Sequence, residues 1–261
     1  MVRRCHGASY TQAASNENPV FVQIEGVWLE GRFLASTCAA MKKVLILGAS
    51  GGIGSAVAEV CRARGDRVTG LSRSAHGFDI TDPASVDEHL STVDGLFDLV
   101  FVATGALEID GAAPEKTIKA LDAKAMAEQF ALNAIGPALV LRHMHKLLPR
   151  DRPAAMAILS ARVGSIGDNR IGGWISYRSA KAALNQTIRT AAIELARTHR
   201  HAALVALHPG TVQTAFTEKY LGRHPSVSPG EAADNLLRVI DGLNAGNTGK
   251  FFDWAGKEVV W

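Results

Sequence analysis

Short apolar runs recur along the chain, and between them lie longer stretches in which apolar positions return every three or four residues. Runs of strand length occupy residues 44–47, 67–71, 96–102, 154–159, 203–207 and 250–253. A further short strand is expected just before Asp79, which makes about seven. Helical patterns cover residues 55–64, a segment opening at Pro83, and residues 122–148, 174–198 and 229–243. The strands read as mainly apolar runs rather than alternately apolar and polar, so both faces of their sheet must be covered. Strands following helices in this order predict an α/β fold: a single doubly wound parallel sheet with helices on both faces. Ligands of such sheets bind beyond the carboxyl ends of the strands. Gly48, Arg73, Gly105, Ser160 and His208-Pro209-Gly210 all fall at those ends.

The first forty residues break the pattern. They combine Arg3 and Arg4, the polar run Ser15-Asn16-Glu17-Asn18-Pro19 and one apolar stretch at 20–24, before Met41-Lys42-Lys43 opens the first clean strand. Glu17, Glu25 and Glu30 argue against a transit peptide, which is nearly free of acids, and no apolar core near the start is long enough for a secretory signal. Residues 1–40 are expected to be an extension outside the fold, with Met41 as a second translation start, or else an arm packed on a neighbouring subunit. Residues 41–261 are then the folded domain. With 261 residues, 47% apolar and 20% charged, the chain can bury a substantial core. A net charge of +3, with basic residues dispersed among acidic ones, gives no nucleic-acid footprint and no polybasic membrane patch. No apolar segment has the length of a membrane span. Cys5, Cys38 and Cys61 are too few and too scattered for a disulfide framework or a zinc site, and point to a reducing, cytoplasmic setting.

The candidate chemistry sits at the strand ends. Gly48-Ala49-Ser50-Gly51-Gly52-Ile53-Gly54 follows the first strand and opens a helix. Strand, glycine turn and helix N-terminus make an anion site, because the backbone can approach a pyrophosphate and the helix N–H groups and dipole favour its charge. Ser72-Arg73-Ser74 closes the second strand. A carboxylate at that place would hold ribose hydroxyls, whereas Arg73, flanked by hydroxyls and with no carboxylate nearby, suits a 2'-phosphate. Asp79-Ile80-Thr81-Asp82 follows, and Thr81 or Asp82 can cap the next helix. Ala103-Thr104-Gly105-Ala106 are small enough for a cofactor to lie across them. Asn133 stands mid-helix ahead of Gly136-Pro137, which would bend the helix and free carbonyls nearby. Tyr177 and Lys181, four residues apart, share one helix face. An ammonium so placed favours the phenolate and brings a poor acid toward a useful range.

On these residues, the region from Lys42 to Trp261 resembles the short-chain dehydrogenase/reductase family: the Gly48 to Gly54 turn, Asp79, Asn133, Ser160, Tyr177 with Lys181, and the run from Pro209 to Thr214. Arg162-Val163-Gly164-Ser165-Ile166, Gly172-Gly173, Tyr177-Arg178 and Phe251-Phe252-Asp253-Trp254 are similar to its C-factor and sniffer-like carbonyl reductase branch. The chain departs from the family at Leu47, where a threonine is usual, at Ala103 to Ala106, where Asn-Asn-Ala-Gly is usual, and at Ser160-Ala161, where serines are paired.

The resemblance implies a Rossmann-like fold, a homodimer or homotetramer, no metal, and hydride transfer between a nicotinamide and a small carbonyl or alcohol. With Arg73 placed for a 2'-phosphate, NADP(H) is the cofactor expected to be preferred, with NAD(H) the lesser. The pyrophosphate would lie at Gly48, Ser50, Gly51, Gly52, Ile53 and Gly54, the adenosine end by Ser72, Arg73, Asp79 and Ile80, and the remainder along Ala103, Thr104 and Gly105. Pro209, Gly210, Val212 and Thr214 would hold the nicotinamide amide. Tyr177 would protonate the carbonyl oxygen, Ser160 would hydrogen-bond it, Lys181 would depress the tyrosine pKa and hold the ribose, and Asn133 would fix a water. The family's serine position is Ala161 here, so its role passes to Ser160 or to Ser165. Residues 214–228, with Phe216, Tyr220 and Leu221, are expected to form a partly apolar substrate lid. The other reading is a dinucleotide-binding signalling or regulatory protein of C-factor type with little turnover.

Overall fold

The computed structural model describes residues 41–214, 217 and 225–261, together with the backbone of four short strands before residue 41. The chain divides into two units, 1–40 and 41–261. In the first, β1 (Arg3–Cys5) pairs antiparallel with β2 (Ala8–Tyr10), and β3 (Val20–Ile24) with β4 (Val27–Gly31). The apolar pattern marks only the third of these strands.

The second unit is built on strands whose alternate residues enter two different apolar layers. In β5 (Lys43–Leu47), Val44 and Ile46 pack with Val57 of α1 (Gly52–Ala63) and Leu236 of α8 (Pro229–Asp241). Leu45 and Leu47 pack on the other side with Leu184 and Ile188 of α7 (Ile175–Leu195). Both sets are fully buried, which is why the run reads as continuously apolar. Each such side chain contributes about 1.5–3 kcal/mol by leaving water. The remaining strands are β6 (Arg67–Leu71), β7 (Leu99–Val102), β8 (Ala154–Leu159), β9 (Ala202–His208) and β10 (Phe251–Asp253), and the spatial order is β10-β9-β8-β7-β5-β6. Every neighbouring pair is parallel, so all carboxyl ends share one edge of the sheet.

Two expectations need correction. Among the described residues the parallel sheet has six strands, because the segment before Asp79 joins none of them. After β6 the Ser72 hydroxyl caps the short helix α2 (Arg73–His76), and Gly77 ends it in a left-handed conformation with φ 72°. The Asp79 N–H is then taken by the Ser85 hydroxyl at 3.0 Å, ahead of α3 (Pro83–Thr92), whose cap is Asp82. The single helix expected over 122–148 is in fact α4 (Ala123–Phe130), a π-helical turn (Ala131–Ile135), α5 (Gly136–Leu141) and α6 (Met144–Leu147). The irregularity expected at Gly136-Pro137 thus falls in the π-helical turn that contains Asn133, just before that pair. Glycine is needed there: a Cβ on Gly136 would stand 2.8 Å from the Ile80 carbonyl oxygen.

Candidate active site

The glycine turn closes on itself. Gly48, at φ 87°, gives its N–H to the Leu71 carbonyl at 2.8 Å and accepts the Gly51 N–H at 3.0 Å. A Cβ on Gly54 would lie 2.2 Å from the Gly48 oxygen, so no other residue lets α1 start so close to β5. No side chain caps α1 and no acid stands in its first turn, which leaves its positive end for an anion. Ser50, Gly51 and Gly52 are exposed along this turn, and Ile53 is half-buried. Gly52 is pressed by the loop after β9, since a Cβ there would meet Thr214 Cγ2 at 2.5 Å.

Beyond β6, Ser72 is buried and its hydroxyl accepts the Ala75 N–H at 3.4 Å, so Ser72 is spent on capping α2. Arg73 heads that helix and is exposed. Asp79 accepts the N–H and hydroxyl of Thr81 at 2.9 and 2.7 Å, bonds that hold its carboxyl below the usual range, with Arg73 adding a smaller pull the same way. A carboxylate therefore does lie within the field of Arg73. Ile80 is buried under Gly136.

At the end of β7, Ala103 backs the glycine turn, and the Thr104 hydroxyl is buried with no hydrogen-bond partner. Gly105, at φ 145°, is where three elements meet: a Cβ there would stand 2.9 Å from Asn133 Oδ1 and 3.4 Å from Lys181 Nζ. Asn133 is fully buried. It accepts the Ala106 N–H at 3.2 Å and donates to the Ala106 carbonyl at 2.9 Å and to Gln129 Oε1 at 2.8 Å. Gln129 in turn donates to the Leu107 carbonyl at 2.8 Å. Gln129 was missed in the sequence, although its place four residues before Asn133 was the available signal.

Helix α7 buries one stripe that includes Tyr177, Lys181, Leu184, Ile188, Ala192 and Leu195. Tyr177 and Lys181 thus lie on the core face, with Nζ 5.9 Å from the ring centroid and donating to the Leu159 carbonyl at 3.1 Å. Gly164 seats this turn, since a Cβ would fall 2.7 Å from Lys181 Cβ. Burial dominates both groups: it pushes the Lys181 amine down to about 7 and the Tyr177 phenol upward. The expected lowering of the phenol by Lys181 is therefore outweighed by desolvation in the protein alone.

The serines are both engaged. Ser160, buried at the end of β8, donates to Asn185 Oδ1 at 2.6 Å, and Asn185 donates to the Gly164 carbonyl at 3.3 Å. Ser165 donates to the Val260 carbonyl and accepts the Asp168 N–H at 3.1 Å, tying its loop to the end of the chain. After β9, Gly210 is covered by Trp254, Val212 is buried, and Gln213 N–H bonds the Val227 carbonyl at 2.9 Å. Pro209 and Thr214 are half-buried beside them. His208, just before Pro209, has a buried Nδ1 without a partner, and burial lowers its pKa to about 4. Phe216, Tyr220 and Leu221 of the expected lid lie outside the described residues.

A dinucleotide fits these features. The tightly packed glycine turn with exposed Ser50, Gly51 and Gly52, the uncapped end of α1 and the unpaired Thr104 hydroxyl lie at the carboxyl edge of the sheet, with Tyr177 and Lys181 at its middle. Among the described residues no group of His, Cys, Asp and Glu is placed to hold a metal, and no helix is long and apolar enough to cross a membrane.

Known proteins resemble this chain in sequence and in fold. The family model described as enoyl-(acyl carrier protein) reductase matches residues 48–248. A 1-hydroxy-2-glutathionyl-2-methyl-3-butene dehydrogenase of Rhodococcus sp. (strain AD45) is 30% identical over 236 residues, covering 85% of this chain and all of that protein. The C-signal protein of Myxococcus xanthus is 39% identical over 139 residues, 52% of this chain and 78% of that one. Among solved structures, an NADPH-bound carbonyl reductase from chicken fatty liver superposes with a TM-score of 0.72 at 25% identity, covering 85% of this chain and 94% of that one.

Proposed function

Because the chain belongs to the short-chain dehydrogenase/reductase family, and so is an oxidoreductase, we propose that it moves a hydride between NADP(H) and a small carbonyl or alcohol through Tyr177, Lys181, Asn133 and Ser160. The observation that carries this reading is the meeting of Gly105, Asn133 and Lys181 beside Tyr177, in front of the glycine cradle. The NADPH held by the chicken carbonyl reductase supports the choice of cofactor. Bound in the cradle, the dinucleotide supplies or accepts the hydride. Tyr177 gives its proton to the carbonyl oxygen as the carbon is reduced, and takes it back when an alcohol is oxidised. Lys181, titrating near neutrality, restores that proton and holds the ribose, and Asn133 orders the water beyond it. Ser160 has one proton, so polarising a substrate oxygen requires exchanging Asn185 for that oxygen.

The test is a screen of small ketones and aldehydes followed by NADPH absorbance, with Tyr177→Phe as control. Turnover should fall at least about 100-fold in the variant while NADPH affinity stays within about twofold. A variant with wild-type rate would sink the mechanism. Likeness to the C-signal protein supports a second reading, a dinucleotide-binding regulatory protein with little turnover. NADPH binding without consumption of any carbonyl in the screen would favour it.

A further inference from the structure

Helix α7 carries the reactive pair, yet its own start is poorly made. Its N-cap, Trp174, is left-handed at φ 51° and offers no capping side chain. The missing acceptors come from Glu115, on the loop between β7 and α4. This buried carboxylate accepts the Ser176 N–H at 3.2 Å and the Ser176 hydroxyl, while the Glu115 carbonyl accepts the Trp174 N–H. Negative charge at a helix N-terminus is electrostatically favoured, and a carboxylate that accepts two donors can stay buried. The Trp174 ring then stands edge-on to the Tyr177 ring, with centroids 6.4 Å apart.

The same loop is fixed at its other end. Asn133 clamps Ala106 through both its N–H and its carbonyl, and Gln129 holds the Leu107 carbonyl. Residues 106–115 thus form a strap from the floor beside Gly105 to the first turn of α7, and Glu115 is its outer attachment. We propose that Glu115 is a positioning residue for Tyr177: by capping α7 from outside the helix it fixes the phenol against the floor set by Asn133. The inference rests on Tyr177 being the proton donor. It separates two roles, since the glycine cradle for the dinucleotide has no bond to Glu115 among those described.

Glu115→Ala removes both side-chain acceptors. Glu115→Gln keeps an acceptor for the Ser176 N–H, and its amide can donate to the Ser176 hydroxyl, which turns to accept. Three measurements on the full chain decide: kcat with NADPH on the best carbonyl from the screen, NADPH affinity, and hydrogen exchange of peptides from α7. Glu115→Ala should lower kcat at least about tenfold, since small misplacements of a reacting group are costly. NADPH affinity should stay within about twofold, exchange should speed up in the first turn of α7 only, and Glu115→Gln should regain most of kcat. The proposal is overturned if exchange at that turn is unchanged, if kcat stays within about twofold, or if Glu115→Gln is as slow as Glu115→Ala. Should Tyr177→Phe keep its rate, the function reading falls while the exchange result still decides whether Glu115 clamps the helix.

Discussion

Arg73 and Ser160 are each a single group whose surroundings set what it can do. Arg73 is exposed at the head of α2, where the Ser72 hydroxyl is already used for capping, so the guanidinium is left as the group able to pair with a 2'-phosphate. The Asp79 carboxylate lies within its field, with Oδ1 already accepting two bonds from Thr81 and Arg73 the smaller influence on it. Arg73→Asp should therefore reverse a preference for NADP(H) over NAD(H); equal wild-type affinities for both cofactors by calorimetry would refute it. For the serines, position on the scaffold decides. Ser160 ends a fully paired strand beside Lys181, whereas Ser165 is held by Val260 and Asp168 on a loop stapled to the end of the chain. Ser160→Ala should cost about a hundredfold in rate, as loss of one donor to a developing oxyanion does, and Ser165→Ala much less. The reverse order in initial rates would move the role to Ser165.

At the level of elements, the sequence showed the central strands plainly because a sheet covered on both faces leaves them mainly apolar, as in β7 and β8. It showed the shared face of Tyr177 and Lys181 through their four-residue spacing, and both fall on the buried stripe of α7. What it hid were devices with long-range partners. Glu115 capping a helix 61 residues away and Asn185 receiving the Ser160 proton across 25 residues have no local signature. The π turn at Asn133 was hidden because helical periodicity runs through it, and the missing third strand because Ser72, Gly77 and Ser85 redirect the backbone locally. One element-level expectation concerns assembly. Ile135 of the π-helical turn between α4 and α5 and Ile193 of α7 are each 52% exposed, apolar surface that the sheet does not cover. Self-association through these helices is expected, as a dimer or tetramer. Light scattering at micromolar concentration should show it, and a monomer would exclude it.

For the whole molecule, the buried amine at the site links stability to pH. The folded state holds Lys181 near pKa 7 against an ordinary 10.5, because burial penalises the ammonium. At low pH both folded and unfolded chains carry the proton, and the folded one bears the cost of the buried charge. Between those values the unfolded chain binds the extra proton, so folding becomes more favourable as pH rises. The contribution is complete above pH 10.5 and is lost as pH falls through about 7. Tyr177 and Cys61 act in the opposite direction, but their ordinary values are 10.0 and 9.0, so both stay protonated in either state over most of the window. His208, lowered by burial to about 4 from 6.5, titrates below it. Denaturant unfolding of the cofactor-free protein should therefore show a midpoint that rises between pH 7 and pH 9, and Lys181→Met should remove much of that rise while unfolding later than wild type at pH 7. If the variant keeps the full slope, Lys181 is charged and solvated in the folded protein, and its proposed role in returning the Tyr177 proton near neutral pH fails with it.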